Sequence, residues 1–106
     1  MLGEYKFENF YDEDDNPTGG YAEGVGIKIE WQNGPLGRGD ERKEPNGAFV
    51  ETVIDIARSR LEFYQEGKYA CEANDLAISA LEGALVVLNN RTLDRESRKV
   101  EGTHTI

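Results

Sequence analysis

The sequence contains one cysteine and one histidine, and this scarcity excludes several kinds of chemistry. Cys71 cannot form a disulfide within the chain, and without Cys or His companions it cannot anchor a structural zinc site. We expect it to be a small buried helix residue. His104 lies at the mobile end of the sequence, so no hydrolytic triad can be proposed around it. We therefore predict that the protein is not an enzyme and that it uses no metal and no cofactor.

Long apolar runs are also missing. No segment approaches the roughly 20 apolar residues that a membrane-spanning helix needs. The N-terminus lacks the basic and then apolar order of a signal peptide. From these two absences we expect a soluble, cytoplasmic protein.

Basic residues are scarce, because 12 Lys and Arg stand against 21 Asp and Glu and leave a formal charge of −9. A protein that binds duplex DNA or an anionic membrane is therefore disfavoured. Residues 1–23 carry seven acids and one base, so −6 of the charge lies there. Within them, Asp12–Asp15 lacks the spacing and terminal Glu of an EF-hand. We interpret that cluster as a solvated turn.

The N-terminal half shows strand and turn patterns. Alternating apolar and polar residues predict a half-buried strand from Val25 to Gln32. A second strand is expected near Tyr5–Tyr11 or near Tyr21–Gly24. The next stretch, NGPLGRGDERKEPNG, contains several Gly and Pro turn signals and is predicted to be a loop.

The C-terminal half shows helical periodicity. From Ala48, apolar residues recur at three- and four-residue spacing and predict an amphipathic helix, with Asn46 as its N-cap and Gly67 as its C-terminal stop. The apolar stripe of this helix comprises Val50, Val53, Ile54, Ala57, Leu61 and Tyr64. A second helix is predicted from about Tyr69 to Asn89. Its buried stripe comprises Ala77, Ile78, Leu81, Ala84, Leu85 and Leu88.

Together these patterns predict an α+β fold, with a small N-terminal antiparallel β-sheet followed by a long antiparallel helical hairpin. Residues 1–106 would form a single domain, with a β-rich and loop part over 1–46, the hairpin over 47–99 and a flexible tail over 100–106. A two-helix core of this size is marginal alone, and Val86 and Val87 add apolar surface outside its main stripe. We therefore expect a homo-oligomer, most simply a two-fold dimer.

Against the acidic background, the run RTLDRESRKVEGTH is basic. At helical spacing Arg91 and Arg95 lie one turn apart, Arg98 follows three residues later, and Lys99 completes the group. Guanidinium groups so placed can clamp a phosphate through bidentate hydrogen bonds. The alternative is an exposed helix end, where the helix dipole and nearby acids favour basic residues.

Three further positions are candidates for ligand contact. Tyr64 either completes the apolar stripe or offers its ring to a nucleobase. Asn74 has poor helix propensity, and it either contacts a ligand or faces solvent and bonds locally. Arg38 lies in the Gly-rich loop Pro35–Gly39, which has no P-loop pattern and forms either a plain turn or a close approach to an anion.

The order of these features resembles the Thoeris anti-defence sponge family of phages, of the first type described. The resemblance covers roughly residues 25–104 and is carried by FYQEGKYACEAN at the hairpin turn, Phe63–Asn74, and by RTLDRESRKVEGTH, Arg91–His104. That family shares its helical hairpin domain with phage anti-CBASS cyclic-nucleotide sponges.

The resemblance implies a protein in the cytoplasm of an infected bacterial host that sequesters immune signalling nucleotides, chiefly glycocyclic ADP-ribose isomers, without cleaving them. Some relatives form larger rings such as hexamers and hold cyclic trinucleotides at a separate site. By motif match, Tyr64 takes an adenine-stacking position where the family usually has Phe, and Asn74 takes a polar ligand contact. Arg91 and Arg95 match phosphate-binding arginines. The resemblance also implies that Arg38, in the Gly-rich loop, contacts the ligand.

Two other functions remain open from the residues. A phosphodiesterase acting on the same ligands would need a base, a nucleophile or a metal set, and the sequence offers none that is convincing. An acidic protein-binding module could inhibit a host nucleic-acid-binding protein by charge mimicry, and this interpretation depends on the −9 charge.

Overall fold

The computed structural model describes residues 2–106, which divide into two compact units. One unit contains the chain up to Phe49 together with Lys99–Ile106, and the other is Val50–Arg98. The first contains a three-stranded antiparallel sheet and the second contains two helices, so the predicted α+β class is confirmed. Among the helices of residues 2–106, none is sufficiently long and apolar to span a membrane.

The sheet has the strand order β1-β2-β3, with β1 at Tyr5–Tyr11, β2 at Pro17–Gly24 and β3 at Ile27–Trp31. Both segments proposed for a second strand are therefore strands. The strand predicted to start at Val25 starts at Ile27 instead. Val25 and Gly26 form the two-residue turn between β2 and β3, in which Gly26 adopts a φ of 77°. Val25 is consequently fully exposed.

Residues 46–48 lie along β3 and do not start the first helix. The N–H of Ala48 donates to the carbonyl of Glu30 at 2.7 Å, and the carbonyl of Ala48 accepts from the N–H of Gln32 at 2.9 Å. The Asn46 amide donates to the carbonyl of Asn33 at 3.0 Å and accepts from its N–H at 2.8 Å. The prediction that Asn46 caps the helix is therefore wrong, because its side chain holds the end of the strand.

The helical unit consists of α1, Val50–Gln65, and α2, Glu72–Ser97. The predicted antiparallel hairpin is confirmed, but α2 starts later and ends later than expected. It starts later because Gly67 and Ala70 close a turn, in which the N–H of Ala70 donates to the carbonyl of Gly67 at 3.2 Å. Cys71 is the exposed residue just before α2, so the expectation of a buried helix residue is wrong. It ends later because the basic run continues the helix.

The apolar stripes of the two helices follow the predicted period. All six predicted stripe residues of α2 are half-buried, so the phase of that helix is confirmed. In α1, four of the six predicted stripe residues are half-buried, whereas Val50 and Ala57 are exposed. Arg58 is half-buried instead, and its guanidinium pairs with Asp55 at 2.8 Å and with Glu62 at 2.9 Å. No hydrophobic side chain within residues 2–106 is fully buried. The described chain therefore has no closed hydrophobic core.

The C-terminal tail is bonded to the loop that precedes the helices. The N–H of Gly37 donates to the carbonyl of Gly102 at 2.7 Å, and Nη1 of Arg38 donates to the carbonyl of Glu101 at 3.0 Å. Nη1 of Arg42 lies 2.7 Å from a carboxylate oxygen of Glu101. The expectation of a flexible tail is therefore corrected, since these bonds attach residues 101 and 102 to the loop.

Asp12 organises the turn between β1 and β2. Its Oδ1 accepts hydrogen bonds from the N–H groups of Asp14 at 2.8 Å and Asn16 at 3.0 Å, and Nδ2 of Asn16 lies 3.2 Å from Oδ2. The hydrogen bond from the Asn16 N–H is the main cause that holds the pKa of Asp12 below its ordinary value of 3.8. The acidic cluster is thus a turn, as predicted.

We expect Asp12→Ala to destabilise the protein near neutral pH and to have less effect in acid. A carboxyl group with a depressed folded-state pKa stabilises the fold above its unfolded pKa of 3.8, and this stabilisation is lost as the pH falls through the lower folded value. Urea unfolding of both proteins, followed by circular dichroism between about pH 7 and pH 2, measures the difference. Asp14→Ala is the control, and a difference that does not vary with pH would contradict the role of the charge.

Candidate ligand-binding site

Gln65 fixes the turn of the hairpin with all of its side-chain polar groups. Its Oε1 accepts hydrogen bonds from the N–H of Cys71 at 2.9 Å and from Nδ2 of Asn74 at 3.0 Å. Its Nε2 donates to the carbonyl of Cys71 at 2.9 Å and to Oδ1 of Asp75 at 2.8 Å. The end of α1 is therefore held in one position against the first turn of α2.

Asn74 and Tyr64 both contact Tyr69 at this turn. Nδ2 of Asn74 donates to Gln65 and also to the carbonyl of Tyr69 at 3.2 Å. The ring of Tyr69 stands edge-on to that of Tyr64, with centroids 6.4 Å apart and planes at 84°. The local hydrogen bonds expected for Asn74 are therefore present, and they use its amide nitrogen. Its Oδ1 accepts no hydrogen bond from residues 2–106 and can accept one from a ligand.

The same turn presents an aromatic surface. Phe63 is 59% exposed, Tyr64 is half-buried, and their centroids are 5.9 Å apart at an interplanar angle of 57°. An aromatic face of this kind can stack a nucleobase, which contributes about 1–3 kcal/mol. The structure thus provides Tyr64 with a tilted aromatic neighbour at the same turn.

Arg91 and Arg95 lie near the other end of α2. The side chain of Arg91 is 60% exposed, and its Nη2 lies 3.5 Å from a carboxylate oxygen of Glu51 at the start of α1. An exposed ion pair of this kind contributes only about 0–1 kcal/mol to the stability of the fold. A phosphate can therefore displace the carboxylate at low cost. Arg95 is half-buried one turn further along the helix.

The five predicted residues therefore fall into three places. Tyr64 and Asn74 share the closed end of the hairpin, and Arg91 and Arg95 share its open end. At a rise of about 1.5 Å per residue, Asn74 and Arg91 are about 25 Å apart along α2. Arg38 belongs to the other unit, where it bonds the carbonyl of Glu101, and its contact with a ligand stays a prediction.

The sequence interpretation missed Gln65 and Arg60. Arg60 precedes Phe63 and Tyr64 by three and four residues, which is a spacing that brings side chains together on a helix and was a usable signal. Gln65 gave no comparable signal, because its partners depend on the course of the turn.

In the described part of the chain, no group of three or more His, Cys, Asp or Glu side chains is arranged to hold a metal ion.

The fold defines a protein with a small β-sheet and a helical hairpin, and comparison with known proteins identifies its family. The family model described as "Acb2/Tad1, hairpin domain" matches residues 23–93, well over half of the chain, so the chain belongs to this family. A relative from Bacillus phage SBSphiJ7, Thoeris anti-defense 1, is 40% identical over 76 residues. The match covers 72% of this chain and 51% of the relative, so the chain spans about half of the relative's length.

These findings confirm the resemblance to the Thoeris anti-defence sponges. They also agree with the prediction that the protein is not an enzyme.

Proposed function

We propose that this protein is a phage anti-defence sponge that binds glycocyclic ADP-ribose in the infected bacterial cell and holds it without cleavage. Adenine stacks on Tyr64, Asn74 contacts the ligand, and Arg91 and Arg95 bind its phosphates. The observation that carries the proposal is that one hairpin presents two complementary half-sites, one aromatic and one basic. Membership of the hairpin-domain family and the anti-defence relative support the same function.

The distance between the half-sites requires a second copy of the chain. One small ligand cannot touch both ends of a helix segment about 25 Å long. Suppose that two α2 helices pack antiparallel about a two-fold axis beside Gly83. A residue that precedes position 83 in one helix then lies beside the residue that follows position 83 by the same number in the other helix. Asn74 is then level with Thr92 of the partner subunit, and each aromatic end meets a basic end. The dimer would contain two equivalent pockets.

A second apolar face of α2 supports this packing. Residues at alternating three- and four-residue spacing form it and are all exposed; they are Ala73, Leu76, Ala80, Gly83 and Val87. A Cβ at Gly83 would meet no atom within 4 Å, so this chain alone does not require glycine there. Glycine within a helix costs about 1 kcal/mol relative to alanine. Close approach of a second helix explains its presence.

Affinity also favours a pocket built from two subunits. A sponge with a nanomolar dissociation constant needs a binding free energy of about −12 kcal/mol. A hydrogen bond to a charged group contributes about 1.5–3 kcal/mol, and a stacked base contributes about 1–3 kcal/mol. A single contact of either kind falls short of this total, so several must act together on one ligand, and a pocket that combines both half-sites supplies more of them than either half-site alone.

Release of intact ligand tests the sponge function. We expect the protein, mixed with glycocyclic ADP-ribose and then denatured by heat, to return the messenger unchanged, as judged by chromatography and mass spectrometry. A hydrolysed product would show catalysis and overturn the proposal. Absence of binding in calorimetry would overturn it too. Native mass spectrometry of the protein purified from an infected-cell lysate distinguishes the sponge from the acidic protein-binding module. The sponge predicts a co-purifying small ligand, and the module predicts a co-purifying host protein.

The same calorimetry addresses the wider ligand range of the family. A cyclic trinucleotide added to protein already saturated with glycocyclic ADP-ribose should still bind if a separate second site exists. The molar mass of the complex then distinguishes a dimer from a larger ring such as a hexamer.

A further inference from the structure

Arg60 lies against the aromatic side chains of the hairpin turn and is not among the ligand contacts of the proposed function. Its Cζ is 4.9 Å from the ring centroids of both Phe63 and Tyr64. Its Nε donates a hydrogen bond to Oη of Tyr64 at 3.2 Å. A guanidinium at this distance from a ring is attracted by the negative face of the ring. Two rings and one hydroxyl therefore hold this side chain.

Arg60 has no acidic partner in the described part of the chain. Within residues 2–106, no Asp or Glu oxygen lies within ion-pair distance of its guanidinium, and its neighbours one turn away are Ile56, Ala57, Phe63 and Tyr64. Arg58 is a direct contrast on the same helix. Its hydrogen bond to Asp55 is the main cause that raises its pKa, followed by the charge of Glu62.

A second cation lies at the same turn. Nζ of Lys68 is 5.4 Å from the ring centroid of Tyr69, which itself contacts Tyr64 edge-on. The turn therefore combines three rings with two cationic side chains. Rings and cations side by side are the two kinds of group that recognise a nucleotide, since a base stacks and a phosphate accepts charged hydrogen bonds.

We infer that Arg60 is a further ligand-binding residue, which donates hydrogen bonds to a phosphate of the nucleotide whose base stacks on Tyr64. This inference rests on the proposed function. Nε of Arg60 is used by Tyr64, and the Nη groups remain available to a planar, bidentate contact with phosphate. When the base takes the ring surface, the long side chain moves the guanidinium to the ring edge. Arg60 then acts from the subunit that supplies Tyr64, opposite Arg91 and Arg95 of its partner.

Calorimetry with glycocyclic ADP-ribose tests the inference. We expect Arg60→Ala to weaken binding about 10- to 100-fold, as for the loss of hydrogen bonds to a charged group. Arg60→Lys should recover part of the loss, because it restores the charge without the planar fork. Arg58→Ala, two residues away, is the matched control and should change the affinity by less than about threefold.

The salt dependence of the affinity separates phosphate binding from positioning of Tyr64. If Arg60 contacts a phosphate, the affinity of Arg60→Ala falls less steeply between about 50 and 300 mM NaCl than that of the wild type, because one screened charge contact is gone. An unchanged salt dependence, or an affinity of Arg60→Ala equal to or above that of the wild type, would overturn the inference alone. A wild-type protein that binds no messenger would overturn both the inference and the proposed function.

Discussion

Arg91→Ala is expected to weaken the binding of glycocyclic ADP-ribose by at least about 30-fold while the oligomer stays intact. The substitution removes a guanidinium that forms charge-assisted hydrogen bonds to phosphate, and loss of one partner from an enclosed charge pair costs about 2–5 kcal/mol. Its ion pair with Glu51 is exposed and contributes little to folding, so the fold should tolerate the change. Calorimetry and size-exclusion chromatography with light scattering measure the two effects.

Arg98→Ala is the matched control for this variant. Arg98 lies at the same helix end, is exposed, and pairs with Asp94 at 3.0 Å one turn earlier. We expect its replacement to change the affinity less than threefold. An equal loss in both variants would indicate a general electrostatic effect. Unchanged affinity in Arg91→Ala would remove this residue from the site.

Mixing two inactive variants tests whether the pocket is shared between subunits. In a dimer that contains one Arg91→Ala and one Tyr64→Ala subunit, one pocket carries both substitutions and the other carries neither. Co-refolded mixtures should therefore recover up to one intact pocket in each mixed dimer. No recovery, although mixed dimers are present in native mass spectrometry, would place both residues in a pocket of one subunit.

Gly83→Glu is expected to separate the subunits and, with them, to abolish tight binding. The change puts a charged side chain at the centre of the exposed apolar face, where a second helix would have to bury it without a partner. Glutamate is a better helix former than glycine, so a loss of helix content is not expected. Light scattering should show a fall to the monomer mass, and calorimetry should show that nanomolar affinity is lost.

Asn89→Glu is the control for charge. It adds the same side chain to an exposed position of α2 that lies away from the face containing Gly83. This variant should keep the wild-type mass and affinity. If Gly83→Glu also keeps them, the antiparallel packing about residue 83 is wrong.

Much of the hairpin follows from local patterns. Apolar residues at 3.6-residue spacing predicted which side chains of α2 become half-buried, because burial of one helix face depends on the order of residues within a few turns. Element boundaries were less predictable. The start of β3 depends on a left-handed Gly26, and the end of α2 depends on polar residues that continue a helix without apolar periodicity.

The candidate site was predictable as a set of residues but not as an arrangement. Tyr64, Asn74, Arg91 and Arg95 were identified from residue type, spacing and motif. Their division between opposite ends of the hairpin became clear once the turn and the full length of α2 were known. Arg60 was overlooked although its spacing to Phe63 and Tyr64 was a usable signal, and the structure adds the distance of its guanidinium from the two rings.

Composition and short-range order were enough to establish the acidic character, the α+β class, the helical hairpin and the family resemblance, because each depends on residues close together in the chain. The pairing of Arg38 with Glu101, the use of Asn46 by the end of a strand, and the separation of the two half-sites required the folded structure. Arg38 and Glu101 are 63 positions apart, and a pattern within a few residues carries no information about such a contact. Folding brings these groups together through the summed free energy of the whole chain, which no single segment contains.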